Sequence, residues 1–353
     1  MARRRLTVAV LIDALVSLGL SGCAQLHLTQ DPHQAIQRTS GLDDYDRKQP
    51  AGPVAARVLP YALLAEQSYV QDVYLKKSAI PQQRRCVPDN YSDCVTGQED
   101  KPRADAWLGQ WRLIWSCDGP ELCGTRTPGA SDPVGGLGVQ VWARRGRICS
   151  EAVIAFRGTV GGNEGDWESN LHWLLRATPI YDQYDQVRDH IGEFVAHVAN
   201  DPCYRKGVTQ ITTIGHSLGG GLAQLAAYSD ADIRRIYAFD PSIVTGYYSV
   251  DPPHLDENVK GLRGERVYEH GEVLAYLRYF LRQFVPPPSC NPRIVNVRFD
   301  VLHGSPIAQH SLSDFTTALL REARSYQPQT APMVLAPCGD EVAPNLISGA
   351  AAQ

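Results

Sequence analysis

From residue 137 to about 326 the chain alternates short β-type runs with longer helical ones. Val139-Gln140-Val141-Trp142 is a short alternating strand, and Glu151-Ala152-Val153-Ile154-Ala155-Phe156 is a mostly apolar run of strand length. Over 184–198, Val187, Ile191, Phe194, Val195 and Val198 recur at helical spacing. The β-branched stretch 208–214 predicts a strand, the Ala/Leu-rich stretch 218–228 a helix, and 233–239 another strand. An apolar helix over 272–284 is stopped by Pro286-Pro287-Pro288. A strand over 293–302 and a helix over 310–323 close the series. Strands alternating with helices in this way predict an α/β fold, with a mostly parallel central sheet covered by helices on both faces.

Upstream of residue 137 the pattern is weaker. Residues 60–74 predict a helix opened by Pro60, since proline suits a first helical turn. Residues 24–57 are polar and broken by Pro and Gly, and are expected to act as a tether. Residues 81–105 predict a polar loop, 107–115 a partly alternating strand, and 128–138 a Gly/Pro turn. The expected layout is a leader over 1–22, a tether over 23–57, one domain over 58–340 with an insertion at about 81–128, and a tail over 341–353. With 43% hydrophobic and 20% charged residues, the 353-residue chain is globular in composition. A net charge of -4 without a basic block gives no footprint for nucleic acid.

The start of the chain changes the picture. Arg3-Arg4-Arg5 precedes an apolar stretch to Leu20 that is interrupted by Asp13. It falls short of the roughly 20 apolar residues that a spanning helix needs. Leu20-Ser21-Gly22-Cys23 then resembles a bacterial lipobox. That resemblance implies a signal peptide cleaved before Cys23 and a lipid attached to its thiol. It also implies a place in the bacterial cell envelope, at the outer membrane if the cell is Gram-negative, because Ala24 rather than Asp follows the cysteine. Beyond Cys23 eight cysteines remain: Cys86, Cys94, Cys117, Cys123, Cys149, Cys203, Cys290 and Cys338. No Cys-x-x-Cys pair is among them, so a zinc site is not indicated, and an even set in an exported chain points to disulfides.

The candidate chemistry centres on Gly215-His216-Ser217-Leu218-Gly219. A predicted strand precedes it and an Ala/Leu helix follows. In a strand–nucleophile–helix turn, residues two before and two after the serine must be small to avoid a clash. The backbone N–H of Leu218, at the start of a helix, is placed to stabilise an oxyanion. A second donor is expected from a loop after another strand, and Phe156-Arg157-Gly158-Thr159 is the candidate.

Ile154-Ala155-Phe156-Arg157-Gly158-Thr159, together with Ile214-Gly215-His216-Ser217-Leu218-Gly219-Gly220, resembles the class 3 (fungal-type) lipase family. The likeness extends over about 137–326 and takes in Trp167-Glu168-Ser169-Asn170-Leu171. It implies the α/β-hydrolase fold, an oxyanion donor at Thr159 and a structural ion pair at Arg157. It also places the catalytic acid at Glu272, where the family has Asp; Asp240 and Glu269 are the alternatives. The base follows the acid in chain order, which favours His310 at the head of the last helix, with His303 as the alternative.

The implied reaction is hydrolysis of a carboxylic ester, of an acylglycerol or phospholipid type, through an acyl-enzyme and without metal or cofactor. A small-ester carboxylesterase, a thioesterase or peptidase on the same fold, and a catalytically silent envelope lipoprotein remain alternatives. Residues 160–175, with Trp167, Leu171, Trp173, Leu174 and Leu175, form either a lid or a packed helix. In this fold the oxyanion strand lies beside the nucleophile strand, which brings Cys149 near Cys203. Cys86–Cys94 and Cys117–Cys123 are local pairs, leaving Cys290–Cys338.

Overall fold

The computed structural model describes residues 30–39, 45–69, 101–118, 137–158, 183–280, 289–290 and 292–327. The uninterrupted apolar runs form the middle of the sheet. β5 (Glu151–Phe156) is buried along its whole length, and β6 (Gln210–His216) and β7 (Ile233–Phe239) nearly so. These three pair in parallel with β8 (Arg263–Glu269) and β10 (Arg293–Phe299), in the order β10-β8-β7-β6-β5. On the far side of β5, β4 (Gly138–Arg144) and β3 (Trp111–Asp118) add antiparallel. On the far side of β10, β1 (Gln34–Thr39) and β2 (Tyr45–Pro50) do the same, and β9 (Ser289–Cys290) pairs with the start of β10.

Strand alternation sorts side chains between two layers. Val153, Ala155, Ile214, Val295 and Val297 face a layer that holds α1 (Ala51–Gln67), α2 (Lys101–Leu108) and α7 (Leu312–Glu322). Ile154, Phe156, Ile211, Ile236 and Ile294 face α3 (Gln183–Ala199), α4 (Leu218–Ser229) and α5 (Pro252–Asn258). Leu59, Leu63 and Leu64 of α1 are fully buried, and each such side chain contributes about 1.5–3 kcal/mol. This is a mixed, mostly parallel sheet with helices on both faces, the α/β-hydrolase fold.

Four expectations need correction. The segment read as a tether enters the sheet at Gln34, because β1 pairs residue for residue with β2 and shares a register with β10. Its polar look reflects a place next to the edge strand β2, where Ala35 and Gln37 are the buried residues among the described side chains of β1. The helix expected from Pro60 begins nine residues earlier, at Ala51, and Pro60 lies inside it. Inside the loop expected over 81–105 and its flanks, residues 101–108 are helical and the strand lies at Trp111–Asp118. β8 was visible only as the segment around the candidate acid. Its Arg263, Glu265, Arg266 and Glu269 hide the strand, since Glu265 is buried against Arg57 of α1, with Arg57 Nη2 donating to Oε2 at 3.1 Å. Arg266 Nε likewise donates to Gln224 of α4 at 2.8 Å.

Cys149 and Cys203 form a disulfide with Cα atoms 5.1 Å apart. It joins the entries to β5 and β6, whose register sets Glu151 beside Gln210. Cys117 is also disulfide-bonded. The pairs proposed for Cys86–Cys94, Cys117–Cys123 and Cys290–Cys338, the leader with Cys23, and the tail lie wholly or partly outside the described residues.

Candidate active site

β6 delivers His216 and Ser217 to the carboxyl edge of the parallel strands, where open α/β sheets place their sites. Ser217 has φ 56° and ψ -122°, a conformation that side-chain-bearing residues rarely hold. Backbone bonds on both sides fix it. Ser217 N donates to Phe239 O at 3.0 Å, and the Ser217 carbonyl accepts Ser242 N at 2.8 Å and Gly220 N at 3.0 Å. Gly215 and Gly219 make the turn possible: a Cβ on Gly215 would meet Gly219 O at 2.2 Å, and one on Gly219 would meet Phe156 O at 2.2 Å. Ser217 Oγ is buried and makes no hydrogen bond among the described residues.

The candidate base comes from beyond β10, which lies three strands from β6 in the sheet. His310 closes a 3-10 turn, Ala308–His310, just ahead of α7, whose cap Ser311 accepts Asp314 N. His310 Nδ1 lies 2.7 Å from Glu272 Oε2, and both side chains are fully buried. Glu272 sits between β8 and α6 (Val273–Phe280), and its Oε2 also accepts Leu274 N at 2.7 Å. Its Oε1 pairs with Arg278 of α6. Burial alone would raise the Glu272 pKa; the Arg278 charge and then His310 outweigh it and hold the carboxyl below its usual range. Among the predicted acids, therefore, Glu272 is the one bound to His310.

Asp240 and Glu269 have other positions. Asp240 follows β7 with φ 38°, and its Oδ1 accepts Glu269 N at 2.8 Å. Burial, then the negative charge of Glu272, push its pKa well above the usual carboxylate range. The Glu269 carboxyl accepts Val301 N and Leu302 N, both at 3.1 Å, and ties β8 to the segment after β10. His303 is exposed, and no described contact pairs it with a predicted acid.

His216 lies beside the base, with ring centroids 4.7 Å apart. Tyr69 Oη is 3.1 Å from His216 Nδ1, and it occupies the space that a Cβ on Gly158 would need, at 2.3 Å. Burial drives the His216 pKa well below normal, so the ring is neutral. His216, Asp240 and His310 bring their side-chain ligand atoms within 4.8 Å of one another. Of the three, His310 is the one hydrogen-bonded to Glu272. Arg157 is buried, with its guanidinium packed over Gly138. Thr159 and residues 160–175 lie outside the described residues, whereas Leu218, expected as the other oxyanion donor, opens α4.

Sequence reasoning missed Tyr69 and Arg278. Tyr69 belongs to no motif. Arg278 had a signal: it is the lone charge in the otherwise apolar Val273–Phe280 helix.

A family model described as a Tle-like phospholipase domain (Phospholipase-like) matches residues 109–234. Over these residues the chain is lipase- and phospholipase-like. The match includes β5, Ser217 and all of α4 and ends before Asp240, Glu272 and His310. No curated protein matches the chain. Among solved structures, lipase II from Rhizopus niveus is 15% identical, with a TM-score of 0.38, over 65% of this chain and 76% of that one. A lipase from Rhizopus microsporus var. chinensis is 14% identical, TM-score 0.39, over 74% and 76%. Acetyl xylan esterase 1 from a Thermoanaerobacterium species is 11% identical, TM-score 0.27, over 64% and 94%. Scores this low add nothing to the fold read from strand order.

Proposed function

We propose that the protein is a serine ester hydrolase with the triad Ser217, His310 and Glu272, acting on the acyl esters of phospholipids or related acylglycerols. The observation that carries the reading is the buried His310–Glu272 pair at 2.7 Å at the same sheet edge as a serine on a strained elbow. His310 takes the Ser217 proton as Oγ attacks the carbonyl carbon. The Leu218 N–H receives the developing oxyanion, joined by Thr159 in the family resemblance. The tetrahedral intermediate collapses, and the alcohol leaves with the proton from His310. Water, activated by His310, then frees the acid and restores the serine. Glu272 keeps the imidazole oriented and stabilises its cation.

The phospholipid preference is supported by the description of the matching family model. For localisation we propose lipid attachment at Cys23, on the strength of the Leu20-Ser21-Gly22-Cys23 motif. The test of function is hydrolysis of defined phospholipids, triacylglycerols and short-chain esters by the protein and by Ser217→Ala. Phospholipid turnover that the variant loses by orders of magnitude supports the reading. Turnover only of short-chain esters would replace it with a carboxylesterase, and equal activity in both proteins would remove it.

A further inference from the structure

Glu272 bonds His310 at 2.7 Å, and a second buried carboxyl brings an oxygen within 4.8 Å of a ring nitrogen of the same histidine. Asp240 is fully buried as well, and Glu269 lies close by on β8. Two adjacent carboxyls away from water do not both ionise. Which one keeps the charge decides whether His310 is held by a carboxylate or sits beside an uncharged acid.

The two carboxyls receive different partners. Asp240 takes one backbone N–H on Oδ1, and its Oδ2 has no hydrogen bond among the described residues. Glu272 takes Leu274 N, His310 Nδ1 and the Arg278 guanidinium. Arg278 is itself clamped. Its Nη1 donates to Pro241 O at 2.8 Å, and its guanidinium carbon lies 4.3 Å from the centre of the Tyr268 ring. A planar fork held by a carbonyl and an aromatic face is pre-aimed at the carboxylate. The other groups facing this pocket are His216 from β6, Tyr268 and Glu269 from β8, and His310 ahead of α7.

Resting on the hydrolase reading above, we propose that Arg278 is a positioning residue that assigns the negative charge to Glu272 rather than to Asp240, and so selects the acid that serves His310. Arg278 touches no reacting atom. It acts through Glu272, and it explains how a glutamate works as the triad acid with an aspartate beside it. Removing the cation favours an extra proton on the Glu272–His310 pair, so the acid limb of the pH profile moves up.

The test compares the full chain with Arg278→Met, Arg278→Lys, Asp240→Asn and the double variant Arg278→Met/Asp240→Asn. Two readouts are taken: kcat and KM for a soluble short-chain ester across pH, and a carbon-13 NMR titration of labelled Asp and Glu carboxyls, which needs no turnover. In the unmodified protein Glu272 is ionised and Asp240 protonated at neutral pH. Arg278→Met lowers kcat on the order of 10²-fold, with KM changed less than about threefold, and moves the acid limb to higher pH. Arg278→Lys restores the position of the limb but only part of kcat, since an ammonium lacks the fork. Asp240→Asn leaves the limb in place, and in the double variant Glu272 regains its charge. A limb unmoved by Arg278→Met would reduce Arg278 to a packing residue and overturn the proposal. So would a titration that finds Asp240 as the ionised carboxyl. If the unmodified protein hydrolyses no ester, the hydrolase reading fails, and the carboxyl titration still decides whether Arg278 assigns the charge.

Discussion

Ser217 occupies a backbone conformation that costs on the order of 1–3 kcal/mol and persists because Phe239, Gly220 and Ser242 bond to it on both sides. The same crowding leaves no room at Gly219, where an added Cβ would lie 2.2 Å from Phe156 O. Gly219→Ala is expected to yield unfolded or insoluble protein, checked by circular dichroism and thermal melting; a cooperative melt at the unmodified temperature would contradict the packing. The acids separate at this scale too. Glu272→Gln cannot stabilise an imidazolium and is expected to lower kcat on the order of 10³–10⁴-fold. Asp240→Asn puts a neutral amide of the same shape where burial already disfavours a charge, and is expected to cost far less. Steady-state kinetics on both variants checks the ranking, and the reverse order would move the acid to Asp240.

Among the elements, β8 and α1 form a unit that neither sequence segment advertises. Arg57 and Glu265 are almost wholly buried and answer each other across the layer between helix and strand. Tyr61 stacks on Tyr237 at 3.9 Å and donates to Glu151 one turn further along α1. Arg57→Met is expected to destabilise the fold by about 3–5 kcal/mol, because it strands a buried carboxylate, whereas Arg57→Met with Glu265→Leu is expected to recover most of that loss. Denaturant melts of the two variants check this, and equal losses would show that the pair is not coupled. The elements that sequence reading found are those whose burial is apolar: β5 and β7 match their expected bounds, and the elbow between β6 and α4 was marked by its glycines. The elements it missed or misplaced bury charge or lie at an edge. β8 carries buried ionic groups, β2 is a polar edge strand with β1 beside it, and α1 extends through a proline.

At the scale of the whole molecule, the candidate site joins elements far apart in the chain: Ser217 follows β6, Glu272 lies just ahead of α6 and Arg278 within it, and His310 ends the turn ahead of α7. Ser217 and His310 were legible because the motif and the chain order carry them. Tyr69 and Arg278 were not, because only the sheet order brings α1 and α6 to the elbow. The same buried carboxyls give stability a pH dependence. Burial pushes Glu269 up to about 8, despite the N–H donors that favour its charge. A carboxyl raised in the folded state binds protons that the unfolded chain releases from pH ~4.3 upward. Its contribution therefore falls as pH rises through the interval from there to about 8. Thermal midpoints measured across that interval are expected to fall more steeply for the unmodified protein than for Glu269→Gln, which keeps an acceptor for Val301 N and Leu302 N. Parallel curves would show that Glu269 is ionised throughout.

The central claim is that Ser217 is an activated nucleophile. Incubation with a fluorophosphonate, followed by peptide mass spectrometry, reads it directly. The account predicts a single adduct on Ser217, formed by the unmodified protein and slowed sharply in His310→Ala. An intact protein that forms no adduct, or an adduct on another serine that survives His310→Ala, would contradict it.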